Sequence, residues 1–196
     1  LAQIQTILET ARHAPSGGNV QPWQVTVLTG ESLTHLRTAM QGAMATPQTP
    51  EYRIYPADLP DPWRNRRGAN GEALYGALGI GREDKAARMQ QMARNFDFFG
   101  APVGLFVHMP KFMGPPQWAD LGIWLQTVML LLVEAGLGSC AQEAWSIYPE
   151  TVKQVAQIPD DHLLFCGLAI GWPDPDAPVN SFANARAPLA LLLLSF

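Results

Sequence analysis

Residues 118–135 read Trp-Ala-Asp-Leu-Gly-Ile-Trp-Leu-Gln-Thr-Val-Met-Leu-Leu-Leu-Val-Glu-Ala, a nearly unbroken apolar run that no surface helix could carry. Its most apolar part, residues 123–133, is shorter than the roughly 20 residues needed to cross a bilayer, and it contains Gln126 and Thr127. The run therefore predicts a core or interface helix, since a helix apolar on every face must be covered on every face. Asp120 falls in the first turn of that expected helix, where the helix dipole favours a carboxylate. Composition points the same way. Apolar residues make up 47% of the 196 and charged residues 15%, which is low for a monomer with a fully wetted surface, so part of the apolar surface is expected to be hidden by self-association.

The remaining periodicities place shorter elements around this helix. Ile4, Ile7, Leu8 and Ala11 predict an amphipathic helix over residues 3–13 that stops before Pro15, and residues 24–29 alternate as a strand. Leu33, Leu36, Ala39 and Met40 resume a helical period. Residues 46–67 hold prolines and aromatics with no period, the composition of an ordered covering loop able to line a pocket. Residues 83–97 read as a polar helix with Ala86, Met89, Met92, Ala93 and Phe96 as its apolar stripe. Residues 102–108 and 163–171 read as buried strands, and residues 191–196 as a terminal apolar strand that pairs within a dimer. Gly76, Gly79 and Gly81 read as a helix junction and not a phosphate loop, because no strand precedes them. The length is that of a single domain.

Several function classes are excluded on this reading. The net charge of -4 argues against nucleic acid, and the densest basic cluster is only Arg64-Asn65-Arg66-Arg67. Cys140 and Cys166 lack CxxC spacing and stand in apolar company, as in a reduced cytoplasmic protein. The four histidines form no ligand cluster, so no metal site is expected.

What remains is residues 14–23, Ala-Pro-Ser-Gly-Gly-Asn-Val-Gln-Pro-Trp. Two prolines, two adjacent glycines and three small polar side chains cannot be helix or central strand. The segment is either a tight helix-to-strand connection or a loop that brings its backbone close to a flat ligand. In the second case Ser16, Asn19 and Gln21 would read the polar edge of a heteroaromatic ring.

The pattern Ala14-Pro15-Ser16-x-x-Asn19-x-Gln21-Pro22-Trp23 resembles the signature loop of the FMN-dependent nitroreductase family. Two further stretches match in family order: the Gly-Leu-Gly turn at 136–138 leading to Gln142-Glu143-Ala144, and Asn184-x-Arg186-x-Pro188-Leu189 near the end. Residues 55–102, including Arg66-Arg67, Leu78-Gly79-Ile80 and Phe98-Phe99-Gly100, are similar to the branch that contains nitrobenzoate reductases. Asn184 stands where some members carry a basic residue. Members usually open with an arginine-rich helix that holds the flavin, and this sequence begins after that point.

The resemblance implies an α+β fold with a mixed sheet flanked by helices and FMN at a homodimer interface. It implies flavin contacts from Pro15, Ser16 and Asn19, with Gln21 and Trp23 bracing the loop from behind. It also implies contacts from Gln142, from the backbone N–H groups of Glu143 and Ala144 near flavin N5 and O4, and from Arg186 to the phosphate. Glu143 could instead be an ordinary solvated carboxylate. The implied reaction is a ping-pong reduction of nitroaromatics or quinones with NADPH or NADH as donor, with no side-chain nucleophile. The same fold hosts ene reduction, dehalogenation and flavin breakdown, and a non-catalytic flavin carrier is a further alternative. Arg66 and Arg67 are the expected attractors of an anionic acceptor, unless Asp58, Asp61 or Glu72 pair with them or the flavin itself engages them.

Overall fold

The computed structural model describes residues 1–189, and the expected terminal strand at 191–196 lies outside them. Backbone contacts group the chain into two compact units, one of Leu1–Ile54 with Ala93–Pro173 and the other of Tyr55–Met92 with the chain from Asp174 onward.

The first unit is built on four strands, β1 (Gln24–Thr29), β2 (Val103–Pro110), β3 (Gly138–Gln142) and β4 (His162–Gly171), in the order β1-β2-β4-β3. All three ladders are antiparallel, so among the described residues no parallel pairing makes this sheet mixed. Helices cover both faces. On one lie α1 (Ala2–Ala11) and α5 (Pro115–Glu134), packed on Leu105, Val107, Met109, Leu168 and Ile170. On the other lie α2 (Gly30–Ala43) and α6 (Pro149–Ala156), packed with Phe98 and Trp145 on Phe106, Leu164 and Ala169. A register break opposite Val107 and His108 interrupts the alternation of β4, so Leu164 faces one layer and Cys166 the other. Beneath it His108 and His162 are buried together, Nδ1 to Nδ1 at 2.9 Å.

Several boundaries differ from the sequence reading. Helix α5 starts at Pro115 and not near Trp118, because proline is well suited to a first helical turn and Gln117 Oε1 accepts the Gly114 N–H. Asp120 therefore sits one turn further in, buried, and is not a first-turn residue. One face of α5 is buried through Leu121, Trp124, Leu125, Val128 and Leu132. The opposite face leaves Ile123, Leu130 and Val133 exposed, so the described residues do not cover the helix all round.

The second unit contains α3 (Trp63–Ala77) and α4 (Lys85–Ala93), the last residue of which belongs to the first unit. Arg64, Arg66 and Arg67 thus lie on a helix, not in the covering loop expected for residues 46–67. Helix α3 buries no residue, so it has no apolar stripe for periodicity to detect. The helix expected over 83–97 is α4 followed by a tighter turn at Arg94–Gly100, with Phe98 and Phe99 at positive φ. Met89 and Met92 of its apolar stripe are exposed. Helix α3 ends before Gly79, at φ +66, in keeping with the junction reading of the glycines.

Candidate flavin site

Residues 14–23 connect α1 to β1 as a compact loop that bonds mainly to itself. Ser16 is extended, Gly17–Asn19 form one 3₁₀ turn, and the backbone passes through positive φ at Gly18 (+56), Asn19 (+59) and Gln21 (+51). Such a course favours glycine and asparagine over other residues. Ser16 Oγ accepts the Gln21 N–H at 3.0 Å, and Gln21 Nε2 donates to the Asn19 carbonyl at 3.0 Å. Trp23 stacks on Trp124 of α5 with ring centroids 6.2 Å apart. Gln21 and Trp23 therefore do brace the loop. The exposed Asn19 side chain is left facing outward, and Ser16 keeps its hydroxyl hydrogen to donate.

Among the described residues the loop makes one hydrogen bond to α5, and the sequence reading did not find it. The Gly17 N–H donates to Asp120 Oδ1 at 3.0 Å, across 103 residues of chain. The available signal was a single carboxylate in an otherwise apolar helical run.

The second stretch forms the end of β3 and a 3₁₀ turn at Glu143–Ile147. The first N–H groups of such a turn, those of Glu143 and Ala144, have no intrahelical acceptor and can meet a ligand oxygen. Gln142 behaves differently from a ligand contact. Its side chain is buried, with Nε2 donating to Asn95 O at 2.8 Å and Oε1 accepting from Trp145 Nε1 at 3.3 Å. Its amide is thus spent inside the fold, where it fixes the entry to the turn. Glu143 is exposed and its carbonyl accepts from Ser146 Oγ at 2.8 Å.

No thiol here is prepared for nucleophilic work. Both cysteines are free, and burial pushes the Cys166 thiol well above its ordinary range. Among the described residues no group of His, Cys, Asp or Glu could hold a metal ion, and no helix is long and apolar enough to cross a membrane.

In the second unit Arg186 is exposed, and its Nη1 donates to the carbonyls of Asn184 and Ala185 at 3.1 and 3.2 Å. No carboxylate among the described residues pairs with it, so its charge is available to an anion. Around α3, Arg64 pairs with Asp61 at 3.0 Å and Arg88 with Glu72 at 3.4 Å. Neither Arg66 nor Arg67 takes a carboxylate among the described residues. Arg67 lies 3.9 Å over the Tyr55 ring and, with Arg64, Tyr75, Arg88 and Met92, lines a cavity of about 800 Å³ that Arg66 does not reach.

Each set of donors by itself suits a part of a flavin mononucleotide: in the second unit a guanidinium without a carboxylate partner suits a phosphate, and in the first an amide, a hydroxyl and backbone N–H groups suit the polar edge of a ring. The chain belongs to the nitroreductase family, whose model matches residues 1–172. It is 36% identical to a 4-nitrobenzoate reductase of Pseudomonas putida, over 93% of this chain and 81% of that protein. It is 34% identical to a nitrobenzene nitroreductase of Ectopseudomonas oleovorans, over 96% and 85%. Among solved structures it is similar to the FMN and NADPH-dependent nitroreductase NfnB of Sphigopyxis sp. strain HMH, with a TM-score of 0.97 and 51% identity over 100% of this chain and 89% of that one. It is likewise similar to the FMN-dependent NfnB of Mycobacterium smegmatis in complex with NADPH, with a TM-score of 0.93 and 29% identity over 100% and 88%.

Proposed function

We propose that this chain is an FMN-dependent oxidoreductase that takes electrons from NADPH, or from NADH, and delivers them to nitroaromatic acceptors. The observation that carries the reading is its likeness, across the whole chain, to enzymes named for FMN, NADPH and nitroaromatic substrates. FMN, when bound, supplies the electron transfer between nicotinamide and nitro group. The residues of the chain supply place and charge. Arg186 holds the phosphate with a planar, permanently charged fork. Pro15, Ser16 and Asn19 would border the ring, and the N–H groups of Glu143 and Ala144 would offer donors to its polar edge near N5 and O4. Donor and acceptor occupy the same cavity in turn, which gives ping-pong kinetics and admits flat, electron-poor quinones as well.

A second copy of the chain is the partner that suits the exposed Ile123, Leu130 and Val133 of α5, giving a homodimer with FMN at its interface. The two free cysteines suit a reducing cytoplasm. The unpaired Arg67, with Arg66 beside it, supports an acceptor that carries a negative charge. Replacing both with Gln should lower kcat/KM for 4-nitrobenzoate while leaving nitrobenzene and flavin content nearly unchanged. An equal loss on both acceptors would remove these arginines from acceptor recognition.

The test of the main reading is direct. Purified protein should show flavin absorption bands, release FMN on denaturation, and oxidise NADPH in proportion to added 4-nitrobenzoate or nitrobenzene. Protein without affinity for FMN would sink it, and FMN without acceptor-dependent NADPH consumption would leave a flavin carrier instead.

A further inference from the structure

We propose that Asp120 is a positioning residue for the flavin: its carboxylate, through the Gly17 N–H, fixes where the 14–23 loop stands. The inference rests on the flavin reading given above and names the residue that sets its geometry.

Four observations carry it. Asp120 is only 5% exposed, on the buried side of an almost wholly apolar helix, where a carboxylate is costly unless something requires it. Its Oδ1 accepts the Gly17 N–H at 3.0 Å, while its buried Oδ2 has no partner among the described residues, so its orienting contact is with the loop alone. The loop's other hydrogen bonds are local: Ala14 N–H to Ala11 O at the end of α1, then Asn19 N–H to Ser16 O, Val20 N–H to Gly17 O, Gln21 N–H to Ser16 Oγ, and Gln21 Nε2 to Asn19 O. The first holds only the residue where the loop leaves α1, and the rest preserve the loop's shape but not the place of residues 16–21. Finally, Gly17 sits between Ser16 and Asn19, the two polar side chains that border the ring, so a shift at Gly17 moves both.

Deleting the carboxylate should therefore let an intact loop move. The Trp23 to Trp124 stack remains as an apolar hinge at the loop's far end. Restoring an acceptor oxygen without the charge should restore the placement, because what Gly17 requires is an acceptor at one point.

The experiment compares wild type with Asp120→Ala, Asp120→Leu and Asp120→Asn. Leucine keeps the volume in an apolar helix but cannot accept a hydrogen bond, so it serves if the smaller alanine fails to fold. Two quantities are read: amide hydrogen exchange at Gly17, and the FMN dissociation constant from quenching of flavin fluorescence, with thermal unfolding as the check on fold. Asp120→Ala and Asp120→Leu should speed Gly17 exchange and weaken FMN binding, each by about tenfold or more. Asp120→Asn should keep both within about threefold of wild type. A Gly17 amide unprotected in wild type overturns the tether. Faster exchange with an unchanged FMN constant overturns the positioning role, and an Asn variant as impaired as the Leu variant overturns the acceptor argument. If the wild type binds no FMN, the functional reading and the positioning role fall together, while Gly17 exchange still reports on the tether by itself.

Discussion

The two compact units are held by different physics. In the first, four antiparallel strands are covered on both faces, and Phe98, Phe106, Trp124 and Trp145 are among the side chains sealed from water. In the second, no described residue is buried, and the side-chain contacts include ion pairs such as Arg88 with Glu72 and the stacking of Arg67 on Tyr55 and Arg88 on Tyr75. Burial of a large side chain is worth several kcal/mol, whereas an exposed ion pair contributes at most about 1 kcal/mol. The first unit is therefore where substitutions change stability. The second is where local opening is cheap, and where substitutions should change binding or very little.

The strongest attempt to break this contrast is at Trp145. Its ring has no exposure and meets Phe98 at 4.5 Å and Phe106 at 5.1 Å between centroids. Trp145→Ala should destabilise the protein by about 3–5 kcal/mol, read from the midpoint of urea unfolding. The opposite error should cost nearly as much at Gly167, where a Cβ would stand 2.3 Å from Trp145 Cδ1 and 3.1 Å from Phe98 Cε1. Gly167→Ala should lose about 1–3 kcal/mol by overpacking. A loss below about 0.5 kcal/mol in both variants would mean that the aromatic layer is not the close-packed core described.

Next in size is a pH effect confined to the first unit. Burial above all, then His162 and Lys153, hold His108 down at about 4 from the ordinary 6.5. The unfolded chain therefore binds a proton between these values that the folded chain does not, and stability must fall with pH in that window. The contribution is complete above pH 6.5, and as the pH drops toward 4 about 3 kcal/mol is lost. His108→Gln should flatten the slope of unfolding free energy against pH from 6.5 to 4. An unchanged slope would assign the acid sensitivity elsewhere.

A fourth substitution should alter binding while sparing stability. Arg186 is exposed and has no carboxylate among the described residues, so Arg186→Ala removes little from the fold. A charge-assisted contact to phosphate is worth about 1.5–3 kcal/mol, so the FMN constant should weaken by about 10- to 100-fold. Titration of flavin fluorescence reads it, and an unchanged constant would place the phosphate elsewhere.

The same contrast decides what the sequence disclosed. The first unit was legible because burial imposes period: Ile4, Ile7 and Ala11 marked α1, and the apolar run marked α5. Helix α3 was missed because a helix that buries nothing has no stripe to count, and the start of α5 was misplaced because the apolar run begins at Trp118 while the helix begins at Pro115. In the candidate site, the loop and its bracing residues followed from motif chemistry. The inward turn of Gln142 and the reach of Asp120 to Gly17 did not, because both depend on partners far away in sequence, Asn95 and residue 17.

The smallest predicted effect runs the opposite way. Gly76 lies in the last turn of α3, with no positive φ and nothing within 4 Å of an added Cβ. Alanine there would touch nothing. It would narrow the backbone freedom of the unfolded chain and strengthen a helix with no apolar stripe to hold it, a gain of about 0.5–1 kcal/mol for that helix. If opening of the second unit is the cheap local event argued above, the gain should appear in hydrogen exchange of α3 amides, slowed by about two- to fivefold. Exchange in β2 and β4 should not change, since those amides open only with the first unit. Equal slowing in α3 and in β4 would mean that the two units open as one, and the contrast between them would then describe their composition and not their energetics.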